Sequence, residues 1–189
     1  MIRKVLLSLA LVATVTSLVM AEADLKSGPP VGATLGAYQV TKIAGPSDGV
    51  PLGQQLCYRW KYGARPVVMI FARKSDDALA SLVKKLDKVV QDNSDKQFKV
   101  FVAFLGENPG ELKTAVTKFS EKTNTKGIPY TIAVEQPDGP ETYGLSEDAD
   151  YTVLVYKNVK VVANHAVKKG KLSKKVINDI VKDTQKVLN

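Results

Sequence analysis

Cysteine and histidine are nearly absent from this chain of 189 residues, which contains one of each, Cys57 and His165. A single cysteine excludes both an internal disulfide and a Cys-x-x-Cys redox pair. One cysteine and one histidine cannot form a zinc site of the Cys/His type or a metal centre built from several histidines. The sequence therefore predicts no metal site and no cofactor.

No periodic glycine or proline is present either. The 13 glycines and 9 prolines are scattered, which excludes collagen-like and low-complexity chains. Hydrophobic residues make up 44% of the chain and charged residues 24%, which is typical of a soluble globular protein. We expect one domain with a single core.

The first 21 residues have the features of a signal peptide. Arg3 and Lys4 precede an apolar run from Val5 to Met20, and the small residue Ala21 follows it. The run is shorter than the stretch of about 20 apolar residues that spans a membrane. We expect cleavage after Ala21, export to the periplasm or the medium, and no stable membrane insertion afterwards. A retained N-terminal anchor is the alternative.

Arginine is scarce, since four of the 27 basic residues are arginine and the rest are lysine. Without residues 1–21 the formal net charge falls from +8 to +6. Proteins that recognise nucleic acid favour arginine beside aromatic side chains. The lysine-rich charge of an exported chain therefore argues against nucleic acid as a binding partner. We interpret the charge as a solvated surface, with an anionic envelope component or an unknown acidic protein as the alternative partner. One lysine cluster comprises Lys168, Lys169, Lys171, Lys174 and Lys175.

Hydrophobic periodicity predicts alternating strands and helices after a polar, extended segment at residues 22–34. The predicted strands are Ala37–Ile43, Gln54–Tyr62, Pro66–Ala72, Phe98–Leu105, Tyr130–Val134 and a hairpin of Thr152–Tyr156 with Val159–Ala166. Predicted helices begin at Ser75, at Asn108-Pro109 and at Ser173. This order predicts parallel pairing first and an antiparallel edge last.

Several segments in order resemble the thioredoxin-like superfamily, in particular its peroxiredoxin and exported-thioredoxin branches. They are Val31-Gly32, Tyr38-Gln39-Val40, Asp48–Leu52, Pro66–Ala72, Tyr143-Gly144-Leu145, Thr152–Tyr156 and Lys160-Val161-Val162. The resemblance implies an α/β fold over residues 35–189, a three-layer sandwich with a mixed central sheet and flanking helices.

The chain departs from that family where its chemistry resides. The resemblance places a reactive cysteine just after Phe71-Ala72, at the start of the next helix, but the segment Arg73–Asp77 contains no sulfur. Ser75 has no adjacent base to make it a nucleophile. The family's cis-proline would fall near Tyr151, and no proline stands there. We therefore expect the usual active site to be degenerate.

Cys57 lies upstream of that position, in the predicted strand Gln54–Tyr62. As a one-thiol catalytic site it would share a strand face with Arg59 and Lys61, whose charge would favour a thiolate. The alternative is an inert, buried side chain, since free cysteine is among the most buried residue types. We favour the inert interpretation.

Tyr58, Trp60 and Tyr62 alternate with these residues and would form an aromatic row on the other strand face. Such a row can bind an extended peptide or a glycan. More often it is core or covers the sheet, and we favour that interpretation.

Two further groups carry weaker signals. His165 has no second histidine or cysteine to join, so a structural role is favoured over a catalytic base. Glu147, Asp148 and Asp150 lack the glycine and the distal glutamate of a calcium loop, so we expect a solvated acidic loop.

The leading functional hypothesis is an exported thioredoxin-like protein without catalytic activity that acts as a binding or scaffold module. The alternative is an enzyme, a one-cysteine oxidoreductase or peroxidase that uses Cys57. A homodimer linked through Cys57 is a third hypothesis.

Overall fold

A computed structural model describes residues 25–134 and 137–189, so the expected signal peptide lies outside the described residues. The strands are β1 (Val40–Ala44), β2 (Gln55–Leu56), β3 (Val67–Ala72), β4 (Lys99–Phe104), β5 (Tyr130–Ala133), β6 (Ala149–Lys157) and β7 (Lys160–Lys168). The helices are α1 (Tyr58–Tyr62), α2 (Asp77–Asp92), α3 (Pro109–Thr123), α4 (Lys174–Asp183) and α5 (Gln185–Leu188). None of the helices in these two ranges is long and apolar enough to cross a membrane.

The seven strands form one mixed sheet in the order β2-β1-β5-β4-β3-β6-β7. Strands β3, β4 and β5 pair in parallel, whereas β6 pairs antiparallel with β3 and β7 closes that edge as a hairpin. The predicted parallel pairing of β3 with β4 and the antiparallel edge are confirmed. Strand β1 pairs antiparallel with β5, which places the amino-terminal hairpin at the opposite edge.

Strand β3 is buried along its whole length because both faces of the sheet are covered. Val68 and Ile70 face a core shared with α2, α3 and α4. Met69 and Phe71 face a second core that includes the α1 aromatic residues. The continuous apolar run in the sequence follows from this double burial.

The ends of the helices differ in small ways from the sequence-based expectation. Asp76, not Ser75, caps α2, and its carboxylate accepts a 3.0 Å hydrogen bond from the Leu79 N–H. Asn108 caps α3 and Ser173 caps α4, as predicted. The last predicted helix is divided at Thr184 into α4 and α5.

The predicted strand Gln54–Tyr62 is wrong beyond Leu56, because the chain turns there into the short helix α1. In this segment every second residue is aromatic, so Tyr58 and Tyr62 are four positions apart. Residues at this spacing lie on the same face of a helix. Their rings pack 5.1 Å apart, and Tyr58 lies 5.2 Å from Phe101. Burial of this pair favours the helix over the strand.

The segment before β1 packs along the terminal hairpin. The Ser27 hydroxyl lies 2.6 Å from the Thr152 hydroxyl, and the Asn164 amide donates to the Ser27 and Pro29 carbonyls. Gly32 N–H donates to the Val161 carbonyl at 2.8 Å. These bonds attach the first described residues to β6 and β7.

Candidate functional site

The position of the expected reactive cysteine lies where β3 ends and α2 begins. Arg73, Lys74 and Ser75 form this link, and Asp76 with Asp77 begins the helix. A helix N-terminus stabilises negative charge, and here the two aspartates supply it in place of a thiolate.

Asp150 completes the site from the neighbouring strand β6, immediately before the residue that pairs with Ala72. Its side chain is 2% exposed. Asp150 Oδ2 lies 3.0 Å from the Lys74 ammonium and accepts a 2.7 Å hydrogen bond from the Gly170 N–H. The Arg73 N–H donates to the Asp150 carbonyl at 2.9 Å. We call Arg73, Lys74 and Asp150 the charged cluster.

The charged cluster corrects the expectation that Asp150 belongs to a solvated acidic loop. Asp150 is the second residue of β6, next to Tyr151 and close to the position that the resemblance gives to the cis-proline. A buried carboxylate requires compensation, and Lys74 with the Gly170 N–H provides it. Sequence analysis missed this role, because nothing within the Glu147–Asp150 run distinguishes a buried aspartate from a solvated one.

Arg73 connects the cluster to the loop after β5. Its Nη1 donates to the Pro137 carbonyl at 3.0 Å and lies 3.9 Å from the Asp138 carboxylate. Its Nη2 is buried and has no hydrogen-bond partner among the described residues. A shallow groove of about 260 Å³ lies beside the cluster, between the starts of α2 and α3. The cluster contains neither a thiol nor a hydroxyl group.

Tyr151 lies under the cluster, and its hydroxyl is buried. Burial is the main cause that raises the pKa of Tyr151, and the nearby negative charge of Asp76 raises it further. The phenol therefore stays neutral at physiological pH and cannot act as a base there.

Cys57 lies on the other side of the sheet, immediately before α1, and is 7% exposed. It does not lie in the middle of a strand, as the sequence suggested. Helix α2 packs on one face of β3, and the α1 aromatic residues that follow Cys57 pack on the other. The N-terminus of α2 is therefore not positioned to stabilise a Cys57 thiolate. The expected strand face of Cys57, Arg59 and Lys61 is likewise replaced by helix geometry.

Cys57 lies among two buried phenols and a guanidinium. Burial raises the pKa values of Tyr143 and Tyr156, the charge of a Cys57 thiolate would raise both further, and Arg59 opposes this. The Tyr143 hydroxyl donates to the Gly36 carbonyl at 2.9 Å. The Tyr156 hydroxyl and the Arg59 Nε are buried and have no hydrogen-bond partner among the described residues. The structure thus brings Cys57 and Arg59 together in a buried polar cluster.

The predicted aromatic row is not present as a surface. Tyr58 and Tyr62 are buried in the second core, whereas Trp60 is 65% exposed. In a helix the middle residue of such a triplet points away from the other two. The three rings therefore do not form a shared binding surface, and Trp60 alone of the three is exposed.

Lys42 forms a buried network that sequence analysis missed. The side chain is 1% exposed, and its ammonium lies 2.7 Å from Asp48 Oδ1 and donates to the Pro46 and Val50 carbonyls at 2.6 and 2.9 Å. The Tyr58 hydroxyl donates to Asp48 Oδ2 at 2.8 Å. The signal was the spacing of two residues from Tyr38 to Val40 to Lys42. In a strand this spacing puts the lysine on the same face as the two apolar side chains.

The remaining candidate residues lie apart from both clusters. His165 Nε2 lies 3.1 Å from Asp183 Oδ2, between β7 and α4. Lys175 pairs with Asp179 on the surface of α4, and Lys169 lies 3.9 Å from Asp148. Within the described residues, histidine, cysteine, aspartate and glutamate form no group of three that could hold a metal ion.

Neither a protein-family model nor a curated protein matches this chain in sequence. Solved structures do match it. A Chlorobium tepidum protein assigned as a thiol:disulfide interchange protein, DsbE, is 14% identical with a TM-score of 0.62, and the match covers 85% of this chain and 99% of that one. AhpC from Mycobacterium tuberculosis is 13% identical with a TM-score of 0.59, covering 84% and 98%.

A third match is the exposed lipoprotein thioredoxin Etrx1 from Streptococcus pneumoniae strain TIGR4. It is 16% identical with a TM-score of 0.52, covering 78% of this chain and 99% of that one. At such identities the likeness concerns the fold. It agrees with the mixed sheet and the flanking helices described above, and the chain therefore has the thioredoxin-like fold that its sequence predicted.

Proposed function

We propose that this protein is an exported, non-catalytic thioredoxin-fold module that binds an anionic partner. The observation that carries the proposal is the salt bridge between Lys74 and the buried Asp150, at the place where the family carries its reactive sulfur. An ion pair held by backbone hydrogen bonds there serves binding or stability and has no redox chemistry.

The charge at the start of α2 supports the same conclusion. Asp76 uses its carboxylate to cap the helix, and Asp77 follows it in the first turn. Two carboxylates at this position repel a thiolate or another anionic intermediate. A hydroxyl such as that of Ser75 needs a neighbouring base, and Asp76 is already engaged by the Leu79 N–H.

Export is proposed from the N-terminal sequence, in which Arg3 and Lys4 precede the apolar run up to Met20. The thioredoxin from S. pneumoniae that shares the fold is itself an exposed lipoprotein. An exported, lysine-rich protein meets anionic envelope components, which is the partner class that its positive net charge favours.

A second candidate function is a one-cysteine oxidoreductase that uses Cys57. The observation in its favour is the Arg59 guanidinium, which acts electrostatically on the same two phenols as Cys57. In that reaction the Cys57 thiolate would attack a peroxide, forming a sulfenic acid while the peroxide is reduced to water or alcohol. Two small thiols would then reduce the sulfenic acid and leave as a disulfide. Burial of Cys57 opposes this function, and it equally opposes a homodimer linked through Cys57.

The deciding experiment measures the reaction of Cys57 with an aromatic disulfide reagent between pH 6 and 9. In the folded full chain we expect labelling about 100-fold slower than in urea, because only opening of the structure exposes the thiol. Cys57→Ser serves as the matched control. We also expect no insulin reduction and no disulfide-linked dimer on a non-reducing gel.

Rapid consumption of peroxide by the native chain with a small-thiol reductant, abolished by Cys57→Ser, would replace the binding module with the one-cysteine enzyme. A dimer that disappears in Cys57→Ser would instead favour the linked homodimer.

A further inference from the structure

A second groove, of about 400 Å³, lies at the end of the sheet where β3, β4 and β5 begin. Four cationic side chains and one carboxylate line it, together with apolar groups such as Tyr62 and Val90. We call it the basic groove. Because β3 has six residues, the groove lies about 20 Å from the charged cluster at the other end of that strand. The four cations are Lys61, Arg65, Lys99 and Lys126.

The single carboxylate in the basic groove, that of Asp48, is already neutralised by a buried lysine. Asp48 Oδ1 lies 2.7 Å from the buried Lys42 ammonium, and its Oδ2 accepts from the Tyr58 hydroxyl at 2.8 Å. The Val50 N–H also donates to Asp48 at 3.2 Å. The carboxylate therefore does not cancel the charge of the four cations, and the lining of the groove keeps a net positive charge.

Two of the ammonium groups have no partner among the described residues. Neither the Lys61 nor the Lys99 Nζ forms a hydrogen bond or an ion pair with them. The Lys126 ammonium donates to the neutral Asn124 amide oxygen at 2.8 Å. Unpaired cations that converge on a groove are suited to an anionic ligand.

Arg65 is held in place before any ligand arrives. Its Nε donates to Gln97 Oε1 at 2.8 Å, and its Nη1 donates to the Lys61 and Tyr62 carbonyls at 3.1 and 3.0 Å. Gln97 adopts a positive φ of 53°, a rare backbone conformation for this residue type. An arginine fixed in this way loses little side-chain entropy on binding, which favours recognition of a tetrahedral oxyanion.

We propose that the basic groove binds a small molecule or lipid headgroup through a phosphate group. Phosphate oxygens match the remaining Nη2 group of Arg65 flanked by ammonium groups, and the apolar wall accommodates the rest of the molecule. The volume lies in the usual range for small-molecule sites. This inference deepens the binding role proposed above and rests on it, but it is independent of the redox state of Cys57.

The test titrates the full chain with pyrophosphate by calorimetry, and with vesicles of phosphatidylglycerol in a sedimentation assay. The groove variant is Lys61→Gln/Lys99→Gln, which removes two unpaired cations. The control is Lys113→Gln/Lys174→Gln, which removes the same charge from exposed positions outside the groove. We expect the groove variant to weaken binding about 100-fold, equivalent to two lost charge-assisted contacts, and the control to change it less than about threefold.

The two arms separate the sources of the phosphate. Saturable pyrophosphate binding that the groove variant loses indicates a soluble phosphorylated ligand, and vesicle binding with the same dependence indicates a lipid headgroup. Equal weakening in both variants, or no binding by the native chain in either assay, overturns the proposal.

A second measurement does not depend on any variant. Pyrophosphate should shift the backbone amide signals of Ser47 and Gly127, which line the groove, and leave those of Gly170 at the other end unchanged. Shifts spread over the whole surface would also overturn the proposal. A failure here leaves the thiol test of Cys57 unaffected, so the two hypotheses fail separately.

Discussion

The Lys74 ammonium lies 3.0 Å from the carboxylate of Asp150, although the two residues are 76 positions apart in the sequence. Their contact depends on the antiparallel pairing of β3 with β6, which brings Ala72 opposite Tyr151. The ion pair occupies the place at which the sequence resemblance predicts a reactive cysteine. Its energetic role can be measured directly.

Removal of the lysine should cost more than removal of the aspartate, because it leaves a buried charge unpaired. Lys74→Met leaves the carboxylate of Asp150, which is 2% exposed, without its cation, so we expect a loss of about 3 kcal/mol in the free energy of unfolding. Asp150→Ala leaves Lys74, which is 49% exposed, to be hydrated and removes the acceptor of the Gly170 N–H, so we expect a loss of about 1 to 2 kcal/mol. Urea unfolding of both variants tests this, and a smaller loss in Lys74→Met than in Asp150→Ala would contradict it.

The Lys42 to Asp48 pair should make the protein sensitive to acid. Burial alone would raise the pKa of Asp48, but hydrogen bonds from Lys42 and Tyr58 and the Lys42 charge outweigh it and hold the pKa below its ordinary value of 3.8. The ionised form therefore favours the folded state. Its contribution is complete above the unfolded-state pKa and is lost as the pH falls through the lower, folded-state pKa.

We expect the stability advantage of the native chain over Asp48→Asn to shrink below about pH 4. Near pH 7 the variant leaves Lys42 buried without its counter-charge, which should cost about 3 kcal/mol. Lys42→Met/Asp48→Asn should recover part of that loss. Unfolding curves between pH 2 and 7 measure the difference, and a difference independent of pH would be inconsistent with the ion pair.

The two phenol hydroxyls beside Cys57 should differ in what they contribute to the stability of the protein. The Tyr143 hydroxyl donates to the Gly36 carbonyl, so Tyr143→Phe should destabilise the protein by about 1 kcal/mol. The Tyr156 hydroxyl is buried with no partner among the described residues, so Tyr156→Phe should leave stability unchanged or raise it. Thermal unfolding compares them. A clear loss in Tyr156→Phe would indicate a polar partner in the Cys57 cluster.

Because α1 is a helix, loss of Tyr62 should cost much more stability than loss of Trp60. In a strand the two side chains would lie on the same face and their losses should be similar. Tyr62 is buried, so Tyr62→Ala should cost about 3 to 4 kcal/mol. Trp60 is exposed, so Trp60→Ala should change stability by less than about 0.5 kcal/mol. Chemical unfolding of the two alanine variants decides, and similar losses would favour the strand.

The sequence by itself determined the parts of the fold that depend on continuous patterns. The unbroken apolar runs of β3 and β4 predicted buried, adjacent, parallel strands, because only a sheet covered on both sides hides every residue. Asn108 and Ser173 predicted helix starts, because capping is a contact within one turn. The absence of a sulfur in Arg73–Asp77 likewise required no structure to interpret.

Tertiary structure decided what short or long-range patterns leave open. Five residues of alternating aromatics fit a strand and a helix equally well, and packing of Tyr58 on Phe101 selected the helix. The burial of Asp150 depends on Lys74 and Gly170, which no local pattern connects with it. The basic groove depends on the starts of three separate strands meeting at one end of the sheet. Helix caps and apolar runs depend on neighbours in the sequence, whereas the surroundings of a charged group arise only when distant segments meet in the fold.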